Sequence, residues 1–261
     1  MKKKDIIDKI IEVKGNFPFK KWNDPEQDYI NLKSNSHFNI SSNVLKFVKK
    51  GSYVLDVGCG PLDKISVIKK LGYNCFAIDD HNDSWHLKDN NKQKIYDYAK
   101  KIEIPLYDSI ENLLVDNRNI KFDLIMLNDI IEHLHDSPRF LLGKLDKLLA
   151  ENGKYLITVP NSLNLKKRIK VLFGKTNYIN FRTFFLHEGN HFRGHIREYS
   201  KDCLIEMSEL MNYEILKVSG CNQMLHVLPN LLLPLWKLFT YIFPNFSDSY
   251  ILIVKKKPIS K

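Results

Sequence analysis

The apolar positions of this chain follow two rhythms. In one, short runs of aliphatic and β-branched residues are bounded by polar or turn residues. These runs are 53–57 (YVLDV), 74–78 (NCFAI), 102–106 (IEIPL), 122–127 (FDLIML), 154–159 (KYLITV), 213–218 (YEILKV) and 250–254 (YILIV). Such runs suit strands buried on both faces. In the other, apolar residues recur every three or four positions and predict helices. One spans 3–13, with Ile6, Ile7, Ile10 and Ile11 on one side. A second carries Val44, Leu45, Phe47 and Val48, with Ser41 or Ser42 as its cap, and a third runs from Asp63 to Leu71. Further helices are expected in the second half of 81–101, over 139–149 and over 200–211. Strands alternating with helices predict an α/β fold: a doubly wound, mostly parallel, seven-stranded sheet with ligands at the carboxyl ends of the strands.

Three stretches keep neither rhythm. Residues 15–40 hold Gly15, Pro18, Pro25 and many Asn and Ser, and read as loop. We take 1–50 as an N-terminal helical cap and 51–261 as the main domain. Residues 161–200 are basic and aromatic without a clear period, although LKKRIKVLF within them has a basic, amphipathic helical pattern. Residues 223–246 are strongly apolar. We expect both stretches to be insertions that serve as substrate or lid elements.

The first strand leads into the turn around which the rest can be placed. Asp56 ends the apolar run, and Gly58 and Gly60 follow with one residue between them, VLDVGCG. Glycines at alternate positions let the backbone turn sharply and remove Cβ atoms that would hold a ligand away. The second strand ends in Asp79-Asp80, about 20 residues past the glycine turn, where a carboxylate can accept hydrogen bonds from ribose hydroxyls. Taken alone, the glycine pair is equally an ordinary tight turn and Asp79 a solvated loop acid. The spacing favours a nucleotide-type ligand. Tyr107-Asp108-Ser109, at the end of the third strand, is placed to reach an adenine edge.

Composition narrows the picture. The 44% hydrophobic content allows a substantial core, which excludes wholesale disorder. The four cysteines, Cys59, Cys75, Cys203 and Cys221, form no CxxC and read as reduced side chains rather than a zinc or disulfide framework. Asp8, Lys9 and Glu12 interrupt the first apolar stretch, so it does not read as a signal peptide. We therefore expect a cytoplasmic protein. The formal net charge of +10 favours an anionic contact such as a phosphorylated substrate, a lipid headgroup or RNA, and is also what a lysine-rich solvated surface would give.

Taken together, these segments resemble a class I S-adenosylmethionine-dependent methyltransferase. VLDVGCG (54–60) resembles the family's first motif and FAIDD (76–80) the acidic end of its second strand. FDLIMLNDIIEHLHDSP (122–138) resembles the fourth-strand motif with the segment after it, and NGKYLITVPN (152–161) the fifth-strand motif. GHIREYSKDCLIEM (194–207) is similar to the segment before the sixth strand in the subgroup containing ubiquinone-biosynthesis O-methyltransferases. Leu62 stands where many members have a third glycine.

The resemblance implies S-adenosylmethionine as cofactor, with Asp56, Gly58, Gly60, Asp79, Asp108 and Asn128 around it. Asp56 would orient the ammonium of the amino-acid tail and Asp79 would hold the ribose. The sulfonium is already activated, so the protein chiefly supplies alignment. A hydroxyl acceptor also needs a base, or a metal that lowers its pKa.

Asp129, Glu132 and His133 fall at i, i+3 and i+4, which share a face on a helical turn. They resemble the ExxEH metal cluster of ubiquinone-biosynthesis O-methyltransferases and of small-RNA 3′-terminal 2′-O-methyltransferases. The implied metal set is Asp129, Glu132 and His133 with His191 or His195, holding a divalent ion such as magnesium or manganese. The alternatives are a capping role for Asp129 and metal-free bases at His133 and His195, or a structural histidine at 195. Pro229, Asn230, Pro234 and Lys237 break the 223–246 run and argue against a membrane span. It then reads as a lid over a greasy substrate, an element lying on the inner face of a membrane, or extra core or dimer contact. The function expected is O-methylation of a small-molecule, lipid-linked or glycan-type acceptor. RNA 2′-O-methylation and a non-catalytic partner role are the competing readings.

Overall fold

The computed structural model describes residues 2–21, 24–188 and 192–257. Seven strands form the central sheet: β1 (Tyr53–Val57), β2 (Asn74–Ile78), β3 (Leu106–Tyr107), β4 (Phe122–Asn128), β5 (Leu149–Pro160), β6 (Tyr213–Cys221) and β7 (Ser249–Lys256). Their spatial order is β3-β2-β1-β4-β5-β7-β6. The first five are mutually parallel, and β7 is inserted antiparallel between β5 and β6.

Side chains alternate across the sheet, so each strand feeds two cores. Val54, Leu124, Met126 and Leu156 face one core, and Leu55, Ile125, Leu127 and Ile157 the other. The first core is covered by α1 (Lys3–Asn16), α2 (Ser36–Phe47), α3 (Asp63–Lys70) and α5 (Asn91–Lys101), with α4 (Ser84–Leu87) just before α5. The second is covered by α6 (Ile110–Asp116), α7 (Pro138–Leu145) and α10 (Lys201–Leu210).

Several local expectations shift. Helix α1 runs three residues beyond the predicted end and buries Ile6, Ile10 and Val13, whereas Ile11, one position round from Ile10, is exposed. Lys20–Lys21 pair antiparallel with Asp24–Asp28 inside the stretch read as loop. Helix α2 starts at Ser36, behind Asn35 in the left-handed conformation, so neither Ser41 nor Ser42 caps it. The Ser42 hydroxyl instead donates to Asn39 O within the helix. The third strand shrinks to two residues because Pro105 has no N–H; its carbonyl accepts from Ala77 N. The turn expected at 151–153 is an irregularity within β5, where the register to β4 slips between Phe122 and Leu124.

Residues 161–200 contain two short helices, α8 (Leu165–Leu172) and α9 (Phe181–Phe185). Residues 223–246 fold into two 3-10 turns, then α11 (Leu233–Ile242) and a further turn at Pro244–Phe246. Among the described residues no helix is long and apolar enough to cross a membrane. Only Thr240 of α11 is buried, so packing on the sheet accounts for few of its apolar side chains.

Candidate functional site

The carboxyl ends of β1, β2 and β4 meet at the glycine turn. Gly58 N and Cys59 N both donate to Ile78 O, which extends the β1–β2 pairing into the turn. Gly58 and Gly60 have φ of 70° and 51°. Their empty Cβ positions serve different ends. A Cβ on Gly58 would lie 2.0 Å from Ile130 Cδ1, so this glycine makes room for the segment after β4. A Cβ on Gly60 would meet nothing within 4 Å, which leaves an open cradle of the kind a ligand needs. Leu62, at the position of a third glycine, is itself left-handed, with φ 70°, and fully buried. That conformation costs about 1–2 kcal/mol for a residue with a Cβ. Burying the leucine side chain contributes about 1.5–3 kcal/mol, which offsets it.

Asp79 ties this turn together. Its Oδ2 accepts from Gly60 N and its Oδ1 from His81 N, each at 2.8 Å. His81 is fully buried and its Nε2 lies 3.3 Å from Gly60 O. Sequence reading missed His81, because a lone histidine two residues past an acid carries no periodic signal. Asp108 is exposed and accepts from Tyr96 OH.

Beneath the turn, Asn128 Nδ2 donates to Asp56 Oδ1 at 3.2 Å. Burial pushes the Asp56 carboxyl up to about 7. At the start of α3, Asp63 Oδ2 bonds His37 Nε2 at 2.9 Å, which fastens α2 to the turn. Burial alone would raise Asp63, but Lys64 and His37 beside it hold it down to about 2. Neither His37 nor Lys64 stood out in the sequence.

Beyond β4 the expected helical face does not form. Asp129 takes a left-handed φ of 56°, and only Ile131–His133 make a 3-10 turn. Asp129 N donates to Thr158 O and its Oδ1 accepts from Thr158 Oγ1, which holds it against β5. Burial keeps its carboxyl above the ordinary range. The residues that converge are Glu132, His133 and His195, whose ligand atoms lie within 4.8 Å of one another. Of the expected set, Asp129 is outside the cluster, His195, one of the two candidates for a further ligand, is inside it, and His191 lies outside the described residues.

Backbone bonds bring His195 in. Glu132 O accepts from Ile196 N at 2.7 Å and from Arg197 N at 3.2 Å. His133 Nδ1 faces Arg193 O at 2.9 Å and His195 Nδ1 faces Glu198 Oε1 at 3.0 Å. Both partners only accept, so each Nδ1 carries a hydrogen and Nε2 is the ring atom left to act as ligand or base. The two rings meet edge to face, 4.8 Å apart. Glu132 is fully buried, and neither carboxylate oxygen has a partner among the described residues. Burial, with the Asp129 charge adding to it, pushes Glu132 up to about 8. Burial, with His133 and Lys167 nearby, pulls His195 down to about 4, so its imidazole is neutral at pH 7. Chemically, the arrangement offers an open glycine cradle beside an acid, and next to it two imidazoles around a buried carboxyl.

A family model described as a methyltransferase domain matches residues 35–218. The ubiquinone biosynthesis O-methyltransferase of Pelagibacter ubique (strain HTCC1062) is 25% identical over 191 residues, covering 70% of this chain and 73% of that protein. The crystal structure of a putative sarcosine dimethylglycine methyltransferase from Galdieria sulphuraria superposes with a TM-score of 0.54 at 13% identity, covering 97% of this chain and 98% of that one. That of the Burkholderia thailandensis 1,6-didemethyltoxoflavin-N1-methyltransferase, with bound 1,6-didemethyltoxoflavin and S-adenosylhomocysteine, gives 0.53 at 13% identity, covering 98% and 87%. At these identities the structures establish a shared fold.

Proposed function

Because the chain belongs to the methyltransferase-domain family and is a class I S-adenosylmethionine-dependent enzyme, we propose that it transfers the methyl group to a hydroxyl on a small-molecule, lipid-linked or glycan-type acceptor. The observation that carries this reading is the convergence of Glu132, His133 and His195 beside the glycine turn. Ile130 connects the two, packing over Gly58 and leading into the 3-10 turn.

The cofactor fits the residues present. The open position at Gly60 would admit its tail and ribose, and Asp79 would accept from the ribose hydroxyls. Asp56, held by Asn128, would orient the ammonium end. His195 Nε2, kept neutral by burial and oriented through Nδ1 by Glu198, would take the proton of the acceptor hydroxyl. His133 would help position that hydroxyl.

The donor set also fits a divalent ion. Two unpartnered carboxylate oxygens of Glu132 with two imidazoles suit manganese or a later transition ion better than magnesium, which prefers an all-oxygen shell. Bound there by Glu132, His133 and His195, such an ion would lower the pKa of the acceptor hydroxyl.

The test is methyl transfer from labelled S-adenosylmethionine to aryl, sugar and lipid-linked hydroxyl acceptors and to a short RNA. His133→Ala and His195→Ala should each lower kcat by about 10²–10⁴-fold and leave the cofactor Kd within about twofold. Unchanged turnover in both variants would remove the cluster from the mechanism. Transfer to RNA alone would favour ribose 2′-O-methylation.

A further inference from the structure

Large apolar side chains are unusually exposed on one face of the molecule. Leu172, Phe173 and Phe185 on or beside α8 and α9 are 81%, 74% and 70% exposed, and Leu235 and Tyr241 on α11 are 68% and 83% exposed. Helices α8 and α11 adjoin one another, and α9 follows α8 along the chain. Arg168 of α8 stacks over the Phe246 ring at 4.9 Å, and Phe246 packs on Phe239 of α11 with ring centroids 5.4 Å apart. Asn177 Nδ2, between α8 and α9, donates to Ser162 O. Contiguous exposure on this scale marks an interaction surface rather than scattered surface residues.

The charge pattern of the same segments indicates what covers it. No Asp or Glu occurs between Glu151 and Glu188, or between Glu214 and Asp248. Lys166, Arg168, Lys170, Lys175 and Lys237 stand exposed among the apolar side chains. We infer that the α8–α9–α11 face docks on an anionic lipid bilayer, with leucine and phenylalanine side chains entering the acyl boundary and the lysines at the headgroups. A second copy of the chain fits poorly, because a self-complementary contact would set Lys166 and Lys170 of both copies against each other. RNA fits poorly too, since the exposed aliphatic side chains of Leu172 and Leu235 have no counterpart on a phosphate backbone.

The face is wired to the site. Lys167 of α8 points inward, and its Nζ donates to Glu198, whose other oxygen bonds His195. On the α9 side, Phe184 packs on Phe192 at 5.3 Å, and the carbonyls of Phe192 and Arg193 accept from His135 and His133. Docking therefore couples to the residues that hold both candidate catalytic histidines, and gives an apolar acceptor a route toward them. The docking itself stands without the proposed chemistry, and only the acceptor's route rests on it.

Vesicle flotation of the full chain tests this, with vesicles of phosphatidylcholine alone and of phosphatidylcholine with 30% phosphatidylglycerol. Partitioning should be at least about tenfold stronger on the anionic vesicles and weaken as salt rises. Lys166→Gln with Lys170→Gln should weaken it by roughly 20- to 30-fold. Leu172→Ser with Phe173→Ser should abolish it. All variants should keep the wild-type melting temperature and S-adenosylmethionine Kd, so loss of docking is separable from loss of the cofactor site. Equal partitioning on both vesicle types, or none on either, would overturn the inference. So would a wild-type dimer that Leu172→Ser with Phe173→Ser converts to monomer, or tighter binding to RNA than to anionic vesicles.

Discussion

Replacing Glu132 with glutamine should make the metal-free protein more stable, by an amount that depends on pH. Glu132 is fully buried with both carboxylate oxygens unpartnered among the described residues, and its pKa is raised from 4.5 to about 8. The folded protein thus holds this proton after the unfolded chain has lost it. The contribution to stability is complete below pH 4.5 and is lost as pH rises through about 8. At about 1.4 kcal/mol per pH unit, the loss reaches about 3 kcal/mol at pH 7. Glutamine carries no such proton, so the variant should gain on the wild type steadily from about pH 5 to about 8, then level off. Asp56, raised to about 7, and His195, lowered to about 4, titrate in both proteins and drop out of the difference. Urea unfolding of both proteins in chelator-treated buffer, across pH 5–9, gives the comparison. A gap that stays constant with pH would show that Glu132 is paired or hydrated, and the argument for a donor poised toward a cation would fall. Manganese should then stabilise the wild type and leave Glu132→Gln unchanged.

Asp79→Ala should weaken S-adenosylmethionine binding by about 10²-fold, the worth of one or two charge-assisted hydrogen bonds; an unchanged Kd in isothermal titration would exclude Asp79 from the ribose site. Gly58→Ala should cost about 2–4 kcal/mol, from overpacking on Ile130 and a Cβ in the left-handed region. Thermal melts should show part of that recovered by Ile130→Val, which deletes the atom that would lie 2.0 Å away. Asp63 is depressed from 3.8 to about 2, so its contribution is present above pH 3.8 and lost as pH falls through about 2. Asp63→Asn should therefore cost about 2 kcal/mol at neutral pH, with the gap to wild type closing toward pH 2 in acid-unfolding curves; a gap independent of pH would refute the His37–Asp63 linkage.

Much of the architecture could be read in the chain. Continuous aliphatic runs such as Val54-Leu55 and Leu124–Leu127 have no other comfortable setting than a strand covered on both faces. The glycine spacing and the acid at Asp79 located the turn where the ends of β1 and β2 meet, because backbone reach from one strand to the next ties them together. Prediction failed where non-local contacts override local preference. Asp129, Glu132 and His133 look like one face of a helix, yet Thr158 on the neighbouring strand captures Asp129 and leaves only a 3-10 turn. His195, a candidate that the resemblance had supplied, joins the cluster through hydrogen bonds from Ile196 and Arg197 to a carbonyl more than sixty residues earlier, a contact that no periodicity records.

The sequence alone determined the doubly wound sheet, the glycine turn with its acid, and an apolar C-terminal stretch too interrupted to span a membrane. These depend on side-chain character and on spacing along one chain. Only the tertiary structure decided which of the two glycines faces open space, which titratable groups share the cluster, and that the apolar side chains of α8, α9 and α11 turn outward. Those depend on what lies opposite each residue in space, and on how burial there sets the cost of holding a charge.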